Sequence, residues 1–557
     1  MGELTTSRPN RPRRAPRQPT PFVALDPSLH RPLHRQLYDA LRVAIVSGRL
    51  PGGARLPSTR QFALEIGVSR VTIAGAFDQL RAEGYVEARG GSGTFVCASL
   101  PDDGLHAGGD DSRVRGIRAA LAKSTIPATG TAVSRVASGT PPTMAASAVQ
   151  PALPSTRPGT IGLCGTAAFR VGIPALDLFP VSLWSRLTAR RWRGMVGPES
   201  ERLLSYGFAL GFPPLRRAIA DYVTISRGVR CDHSQVIVTA GAQQALDLIG
   251  RVLLKPGDAV LLEEPGYFGA REAFAAAGAH ITAVPVDAEG MDAVVGEALS
   301  PHARLACVSP SHQFPLGVTM SMQRRVALLE WAARTRAWIV EDDYDGEFRY
   351  VGRPLASLQG LESERSVAGS KAECGRVLYV GTFSKTLYPS LRLGYVIVPA
   401  PLLSAFAEAK AATDRHSATV DQAVLTDFIT EGHYARHVRR MRLSYSARQA
   451  TLVAAAATHL APWLEVQSSD AGMHLVGWLR ESLPPEITDQ ALSKAALENG
   501  VVAVALSSCR AQPSPDALGI DRARGALLLG YSGCSDAMIW EGAKRLGRAI
   551  SSVVRAQ

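Results

Sequence analysis

Four side chains in one short segment, Thr382, Ser384, Lys385 and Arg392, carry the most specific chemistry in this sequence. A lysine amine can form a Schiff base with an aldehyde, and hydroxyl groups together with an arginine fork can hold a phosphate. The apolar run at residues 377–380 predicts a short buried strand, which would place Lys385 just past a strand end. Pyridoxal phosphate (PLP) carries both an aldehyde and a phosphate. The segment therefore predicts a PLP site with Lys385 as its catalytic lysine.

A second apolar run ends in acidic residues and a tyrosine, at residues 339–345. Beside a PLP lysine, one carboxylate keeps the pyridine nitrogen protonated, so that the ring can accept electrons. Successive strand residues point to opposite faces, so only one of Asp342 and Asp343 can meet the ring. We assign that role to Asp342 and expect Tyr344 to donate to the phenolate oxygen of the ring. A magnesium site or a plainly solvated acidic cluster are the alternatives.

Two further turns supply candidate cofactor contacts. Gly241, Ala242 and Gln243 follow a predicted strand and open a helix. Free backbone N–H groups and the helix dipole would receive the phosphate there. Tyr267 ends the next predicted strand and can stack on the pyridine ring. Both segments also have a structural alternative, as an ordinary αβ turn and as a packing tyrosine.

These residues require a sheet to bring them together. From residue 162 onward, short apolar runs alternate with amphipathic segments, which predicts an α/β fold with a parallel sheet flanked by helices. The predicted strands include residues 235–238, 259–262 and 305–308, and the predicted helices include residues 243–254, 269–277 and 324–335. The polar segment at residues 361–375 is predicted to be a loop insertion.

The N-terminal part of the chain has a different pattern. Helical spacing over residues 32–47 is followed by a helix at residues 58–66 and, after a glycine turn, by a helix at residues 70–83 with Ser69 as its cap. Residues 85–96 alternate around a glycine-rich centre and predict a two-stranded hairpin. Together these elements predict a winged helix-turn-helix, whose second helix would enter the major groove of DNA.

Residues 53–64 resemble the GntR-family signature, and residues 93–96 match its wing. The resemblance implies six DNA-contacting residues, which are Arg55, Arg60, Ser69, Arg70, Thr72 and Gly93. The alternative is that Arg60 and Arg70 only solvate helix surfaces. Residues 1–100 contain fourteen arginines, no lysine and seven acidic residues, an excess of positive charge that suits double-stranded DNA.

Length and composition divide the chain into several parts. At 557 residues, more than one domain is expected. We predict a disordered basic arm at residues 1–27, a winged helix-turn-helix at 28–97, a linker at 98–161 and an effector domain at 162–557. No apolar run is long enough to span a bilayer, and no signal peptide is predicted. The seven scattered cysteines favour reduced thiols in a cytoplasmic protein.

Taken in order, these segments resemble the MocR/GabR family of transcription regulators, in which a GntR-type module precedes a fold-type I aminotransferase-like domain. The resemblance covers roughly residues 30–97 and 170–550. It implies a homodimer with domains exchanged head to tail, in which Tyr206 contacts the phosphate of the partner subunit. An amino-group effector would displace Lys385 from its Schiff base and shift the balance between two domain arrangements. The asparagine expected in an aminotransferase turn is absent at residues 309–317, and His312 or Gln313 would replace it.

Two other functions are compatible with the same residues. The chain could be a catalytically active aminotransferase with an appended DNA-binding domain, or a sensor of PLP itself that controls vitamin B6 genes. Catalytic transaminases need an arginine near the C-terminus for the substrate carboxylate, and residues 525–531 are apolar where many have arginine. Arg510, Arg522 and Arg524 are nearby candidates that the sequence does not place.

Lys385→Ala is predicted to remove the visible absorbance of the covalent PLP adduct. Lys385→Arg is not expected to restore it, because a guanidinium stays protonated and is a poor nucleophile. Absorbance spectra of the purified proteins, followed by borohydride reduction and peptide mapping, measure the effect. If borohydride still fixes PLP to the Ala variant with an unchanged spectrum, another lysine is the attachment site.

Overall fold

The computed structural model describes residues 33–46, 49–82, 85–89, 93–97, 167–351, 355–367, 375–510 and 525–556. The predicted basic arm and the predicted linker lie outside these residues. The chain divides into two compact units, Met1–Asp103 and Gly104–Gln557. Among the helices described, none combines the length and the hydropathy needed to cross a membrane.

The N-terminal unit has the predicted helix-turn-helix and hairpin. Its elements are α1 (Leu33–Val46), α2 (Thr59–Ile66), α3 (Arg70–Ala82), β1 (Val86–Arg89) and β2 (Gly93–Val96), the two strands being antiparallel. Ser58 Oγ accepts from the backbone N–H of Gln61 at 3.2 Å, and Ser69 Oγ accepts from that of Thr72 at 3.1 Å. Both predicted helix caps are therefore confirmed, and each satisfies a backbone donor that the helix start leaves open.

The larger unit is built on an eight-stranded sheet. Its strands are β3 (Val236–Thr239), β4 (Ala259–Glu264), β5 (His280–Asp287), β6 (Gly290–Met291), β7 (Leu305–Val308), β8 (Trp338–Asp343), β9 (Val377–Thr382) and β10 (Gly394–Ile397). They lie in the order β3-β10-β9-β8-β7-β4-β5-β6. Four neighbouring pairs are parallel, as predicted, namely β5 with β4, β4 with β7, β7 with β8 and β8 with β9. The α/β fold is thus confirmed.

Strand β10 departs from the predicted parallel sheet, because it is antiparallel to both β3 and β9. Only residues 383–393 connect β9 to β10. That connection is shorter than the helical crossover that a parallel neighbour needs, so the chain must reverse. The reversal carries Lys385 and Arg392 on one connection between two neighbouring strands.

Helices cover both faces of this sheet. They are α4 (Val181–Arg193), α5 (Pro198–Leu204), α6 (Pro213–Arg227), α7 (Ala242–Leu253), α8 (Phe268–Ala276), α9 (Ala293–Leu299), α10 (Met322–Thr335), α11 (Leu358–Val367), α12 (Leu403–Asp414), α13 (Thr419–Thr430) and α14 (His433–His459). On β4, Val260 and Leu262 pack in the cluster that contains α7 and α8, whereas Leu261 packs in the cluster that contains α9 and α10. Alternate strand residues therefore serve opposite faces, which explains why the strands are continuously apolar.

Helix α11 corrects the prediction of a polar loop at residues 361–375. Residues 361–367 of this segment are helical, and residues 368–374 lie outside the described part of the chain. The buried carboxylate of Glu341 accepts the backbone N–H groups of Leu358 and Gln359, at 3.0 and 3.1 Å. An acidic group at the helix start satisfies open donors and favours the helix dipole. This partner comes from β8 and is therefore invisible in the local pattern.

A second, antiparallel sheet that the sequence did not indicate completes this unit. Its strands are β11 (Leu464–Val466), β12 (His474–Leu479), β13 (Val504–Ala505) and β14 (Ala526–Gly530), and it packs with α14, α15 (Asp489–Glu498) and α16 (Asp536–Ala556). The segment at residues 167–173 joins it, because Phe169 pairs with Gly530 and Ala168 with Val501. That pairing brings Gly172 to Lys385.

Candidate functional site

Lys385 lies three residues past the end of β9, on the connection that leads to β10. Its Nζ donates to the carbonyl oxygen of Gly172 at 3.0 Å. Burial lowers the pKa of Lys385, and the carboxylates of Asp345 and Asp342 oppose that effect. A lowered pKa increases the fraction of neutral amine, which is the nucleophilic form.

Gly172 is a contact that the sequence analysis missed. Its φ is +72°, and a Cβ atom there would lie 2.7 Å from Lys385 Nζ. Glycine is therefore required both by the backbone conformation and by the approach of the lysine. No local signal could have identified this residue, since 213 residues separate it from Lys385.

Asp342 and Asp343, at the end of β8, are both buried and have opposite environments. Asp343 is bound by Arg227, with Nε to Oδ2 at 2.6 Å and Nη2 to Oδ1 at 3.0 Å, and the hydroxyl of Tyr379 also donates to it. Among the described residues, Oδ1 of Asp342 has no hydrogen-bond partner. Burial raises the pKa of Asp342 to about 7, with further increases from Asp343 and Asp345. The predicted alternation leaves Asp342 as the carboxylate that still needs a cationic partner.

Tyr344 is joined to His312 beside this carboxylate. Its hydroxyl lies 2.9 Å from His312 Nδ1, and Asp345 Oδ2 lies 3.0 Å from the same nitrogen. Burial raises the pKa of Tyr344 well above its ordinary value, with the carboxylate of Asp345 adding to the effect. Tyr344 therefore stays a neutral phenol that can donate a hydrogen bond.

Gln313, the other candidate for the missing asparagine, bonds to backbone groups of its own turn and of the segment after β4. Its Nε2 donates to the carbonyl oxygens of Pro265 at 2.9 Å and Phe314 at 2.6 Å, and its Oε1 accepts from Leu316 N at 3.1 Å. These bonds join the amide both to its own turn and to the segment that follows β4. Of the two alternatives that the sequence left open, only His312 is joined to Tyr344.

The start of α7 lies against Arg392. Gly241 precedes the helix with a φ of +105° and has no side chain to cap the open N–H groups of Ala242 and Gln243. A Cβ atom on Gly241 would lie 3.3 Å from Arg392 Nη2, so the glycine admits the guanidinium. Open N–H groups, the helix dipole and a guanidinium converge here, which is an arrangement suited to a phosphate.

Thr382 is the last residue of β9, and Ser384 follows it on the connection that carries Lys385. Thr382 is buried, and its Oγ1 accepts from the backbone N–H of Ser384 at 3.1 Å.

Tyr267 lies near the start of α7, with its hydroxyl 3.4 Å from Gln243 Oε1. Its ring meets Phe314 edge to face at 6.1 Å, and burial raises its pKa to about 12.

Tyr206 is the predicted site residue that stands apart within one chain. It is 86% exposed, and its ring meets that of His416 edge to face at 6.3 Å. Other large apolar side chains are exposed in the same stretch of sequence, namely Leu176, Val181, Trp192, Val196, Leu204 and Phe208.

Within the N-terminal unit, the predicted DNA-contacting residues lie on the surface. Arg60 on α2 and Arg70 at the start of α3 are exposed, as are Ser69 and Gly93, and Thr72 is half-buried. Arg55 lies against the hairpin, with its guanidinium 5.9 Å from the centre of the Phe95 ring. A Cβ atom on Gly93 would lie 3.0 Å from Arg55 Nε. Arg55 thus lies at the wing, whereas Arg70 lies at the start of α3.

Comparisons with known proteins agree with both units. Residues 33–96 match the family of bacterial regulatory proteins of the gntR type, and residues 198–542 match aminotransferase class I and II. The probable rhizopine catabolism regulatory protein MocR of Rhizobium meliloti is 39% identical over 95% of this chain and 96% of that protein. The pyridoxine biosynthesis transcriptional regulator PdxR of Corynebacterium glutamicum is 28% identical over 77% of this chain and 79% of its own length.

Among solved structures, the α-aminoadipate aminotransferase LysN of Thermus thermophilus, complexed with N-(5'-phosphopyridoxyl)-L-leucine, matches with a TM-score of 0.60 and 29% identity. The match covers 71% of this chain and 94% of LysN. The chain belongs to the MocR-type family of transcription regulators, in which a GntR-type winged helix-turn-helix precedes a fold-type I aminotransferase domain.

Proposed function

We propose that this DNA-binding regulator holds PLP at Lys385 and changes its binding to DNA when an amino compound reacts at that site. The observation that carries the proposal is the buried Asp342 carboxylate, whose Oδ1 lacks a partner among the described residues. A buried ionisable group without a partner is costly and is retained where a ligand supplies one. The protonated pyridine nitrogen of PLP is such a partner, and aminotransferases of class I and II use PLP.

The residues present fit this cofactor at each of its functional groups. Lys385 would bind its aldehyde carbon, Asp342 its ring nitrogen and Tyr344 its phenolate oxygen, with Tyr267 beside the ring. The phosphate would be held by the open N–H groups at Gly241, Ala242 and Gln243 and by Thr382, Ser384 and Arg392. When bound, PLP supplies a carbon that captures primary amines and a ring that withdraws electrons.

The protein side chains have complementary protonation states for this role. A cation beside Asp342 lowers the carboxyl pKa from the value near 7 that burial produces, and so favours a charge-assisted hydrogen bond. Lys385 has a lowered pKa and can act as a neutral amine, while the Gly172 carbonyl orients it. Tyr344 stays protonated and donates.

A homodimer is part of the proposal. The exposed Tyr206, 86% accessible in the single chain, would contact the phosphate in a second copy, and the exposed apolar side chains between residues 176 and 208 would pack against that copy. The head-to-tail exchange of domains between subunits is taken from the family resemblance.

The direct test combines the visible spectrum with DNA binding. PLP-loaded protein is titrated with primary amines of different side chains, and absorbance and operator affinity are recorded together. We expect an amine that changes the visible band to change operator affinity, whereas its carboxylic acid analogue without the amine changes neither. The Lys385→Ala protein is the control that should not respond.

Three other outcomes would contradict amine sensing. Operator affinity that never follows the band, together with steady formation of a keto acid, would indicate an aminotransferase. Operator affinity that responds fully to PLP and not to any amine would indicate a sensor of PLP. An unchanged band with every amine would show that the site does not capture them.

Asp342→Ala is expected to weaken PLP binding more than Asp343→Ala. Loss of a charge-assisted hydrogen bond corresponds to about a tenfold increase in Kd, or more. Asp343→Ala removes the ion-pair partner of the buried Arg227, so it should destabilise the fold by about 3–5 kcal/mol while the folded fraction retains PLP. PLP titrations and thermal melts of both variants separate the two effects, and equal losses of PLP affinity would contradict the assignment.

Arg70→Ala and Arg55→Ala are expected to affect DNA binding differently. Arg70 is exposed at the start of α3, and if it reads a base edge its loss should cost about 1–3 kcal/mol at the operator and relax specificity at one position. Arg55 lies at the wing, so its loss should weaken binding to all sequences and reduce the salt dependence. Gel-shift titrations at two salt concentrations test both, and unchanged binding by both variants would contradict the interface.

A further inference from the structure

Lys410, on α12, is a second buried lysine that the cofactor chemistry does not use. Its side chain is 0% exposed, and its Nζ lies 2.5 Å from Asp414 Oδ1 one helical turn away. Burying an ammonium is costly unless it is paired and hydrogen-bonded. In the comparable Arg251–Asp247 pair of α7 the aspartate is exposed to the same extent as Asp414, but the cation lies on the surface, so a pair that only reinforced the helix would not need a buried cation.

The pair continues as a chain of hydrogen bonds to the start of α7. Asp414 Oδ2 accepts from Gln244 Nε2 at 2.9 Å, and Gln244 Oε1 accepts from the backbone N–H of Ala240 at 2.7 Å. Ala240 is the residue before Gly241. The chain therefore begins at a buried ammonium and ends inside the turn that faces Arg392.

The chemistry of the groups gives this chain one direction. Lys410 can only donate, and the ionised Asp414 can only accept. Gln244 must therefore present its NH₂ group to Asp414 and its oxygen to Ala240. Thr239 Oγ1 also donates to the carbonyl of Gly241 at 3.0 Å. These bonds occupy the N–H group of Ala240 and the carbonyl group of Gly241, and they fix Gly241 at its φ of +105°. The next N–H groups, at the first turn of α7, have no acceptor within the helix.

We propose that Lys410, Asp414 and Gln244 form a hydrogen-bond relay that positions residues 239–243 to bind a phosphate monoester. Lys410 is then a positioning residue, which acts through Asp414 and Gln244 and does not touch the ligand. The inference rests on the proposed function in taking the phosphate of PLP as the natural occupant.

The test compares three ligands on the apoprotein, because a phosphate cradle and a general fold defect predict different patterns. Lys410→Met keeps the length of the side chain and removes its charge. We expect Kd for PLP and for inorganic phosphate to rise about tenfold. That is the effect of losing one backbone N–H hydrogen bond to the phosphate when residues 239–243 are no longer held in position. Kd for pyridoxal, which has no phosphate, should be unchanged.

Two further variants make the comparison specific. Arg251→Met is the matched control, because it removes a cation from an exposed pair with Asp247 at 2.7 Å on α7 itself, and it should alter none of the three affinities. Gln244→Glu serves if Lys410→Met does not fold. It keeps an acceptor for Ala240 N–H but places a carboxylate against Asp414, and it should reproduce the selective loss of phosphate ligands.

Unchanged phosphate and PLP affinities in Lys410→Met and Gln244→Glu would overturn the relay. Equal weakening of PLP and pyridoxal would also overturn it, because the pair would then only support the fold. If the unaltered apoprotein fails to bind PLP, the proposed function fails, and the inorganic phosphate titration still decides on the relay.

Discussion

Three consecutive buried carboxylates at the end of β8 are the constraint on which much of the larger unit depends. Each must find a partner, because an unpaired charge in a low-dielectric interior is strongly unfavourable. Glu341 is satisfied by the first N–H groups of α11, and Asp343 by Arg227 and Tyr379. Of these three carboxylates, only Asp342 has an oxygen for which the described residues supply no hydrogen-bond partner. Two carboxylates thus organise the fold, and the third is the one that the proposed function assigns to PLP.

The topology of the sheet assembles the rest of the site around that carboxylate. The parallel strands β8 and β9 end at the same edge, which brings Asp342 and Lys385 together. The antiparallel return of β10 then places Gly394 opposite both Thr239 and Thr382, so the β9–β10 connection meets the start of α7. Arg392 reaches Gly241 for that reason. A purely parallel sheet would have needed a longer connection and would have separated these groups.

A regulator that detects amines needs a site that binds an amine and a second site whose affinity depends on the first. The larger unit supplies a lysine and a carboxylate suited to PLP, and the N-terminal unit supplies exposed arginines on a helix-turn-helix. By linkage, an effector can change DNA binding only by its difference in affinity for the two states of the protein. In the proposed homodimer, the contact made by the exposed Tyr206 would lie at the subunit interface, and such an interface can transmit the difference because it can adopt two arrangements.

By itself, the sequence determined the features that depend on near neighbours. The Ser58 cap, the strands of alternating α/β pattern and the position of Lys385 after a strand all follow from spacing within a few residues. Tertiary structure decided the contacts between distant segments. It brought the Gly172 carbonyl to Lys385, used the Gln313 amide to bind the Pro265 carbonyl after β4, and joined Asp414, the partner of the buried Lys410, to Gln244 at the start of α7. These outcomes depend on which groups the sheet brings together, and a linear sequence records the spacing along the chain but not the proximity of residues hundreds of positions apart.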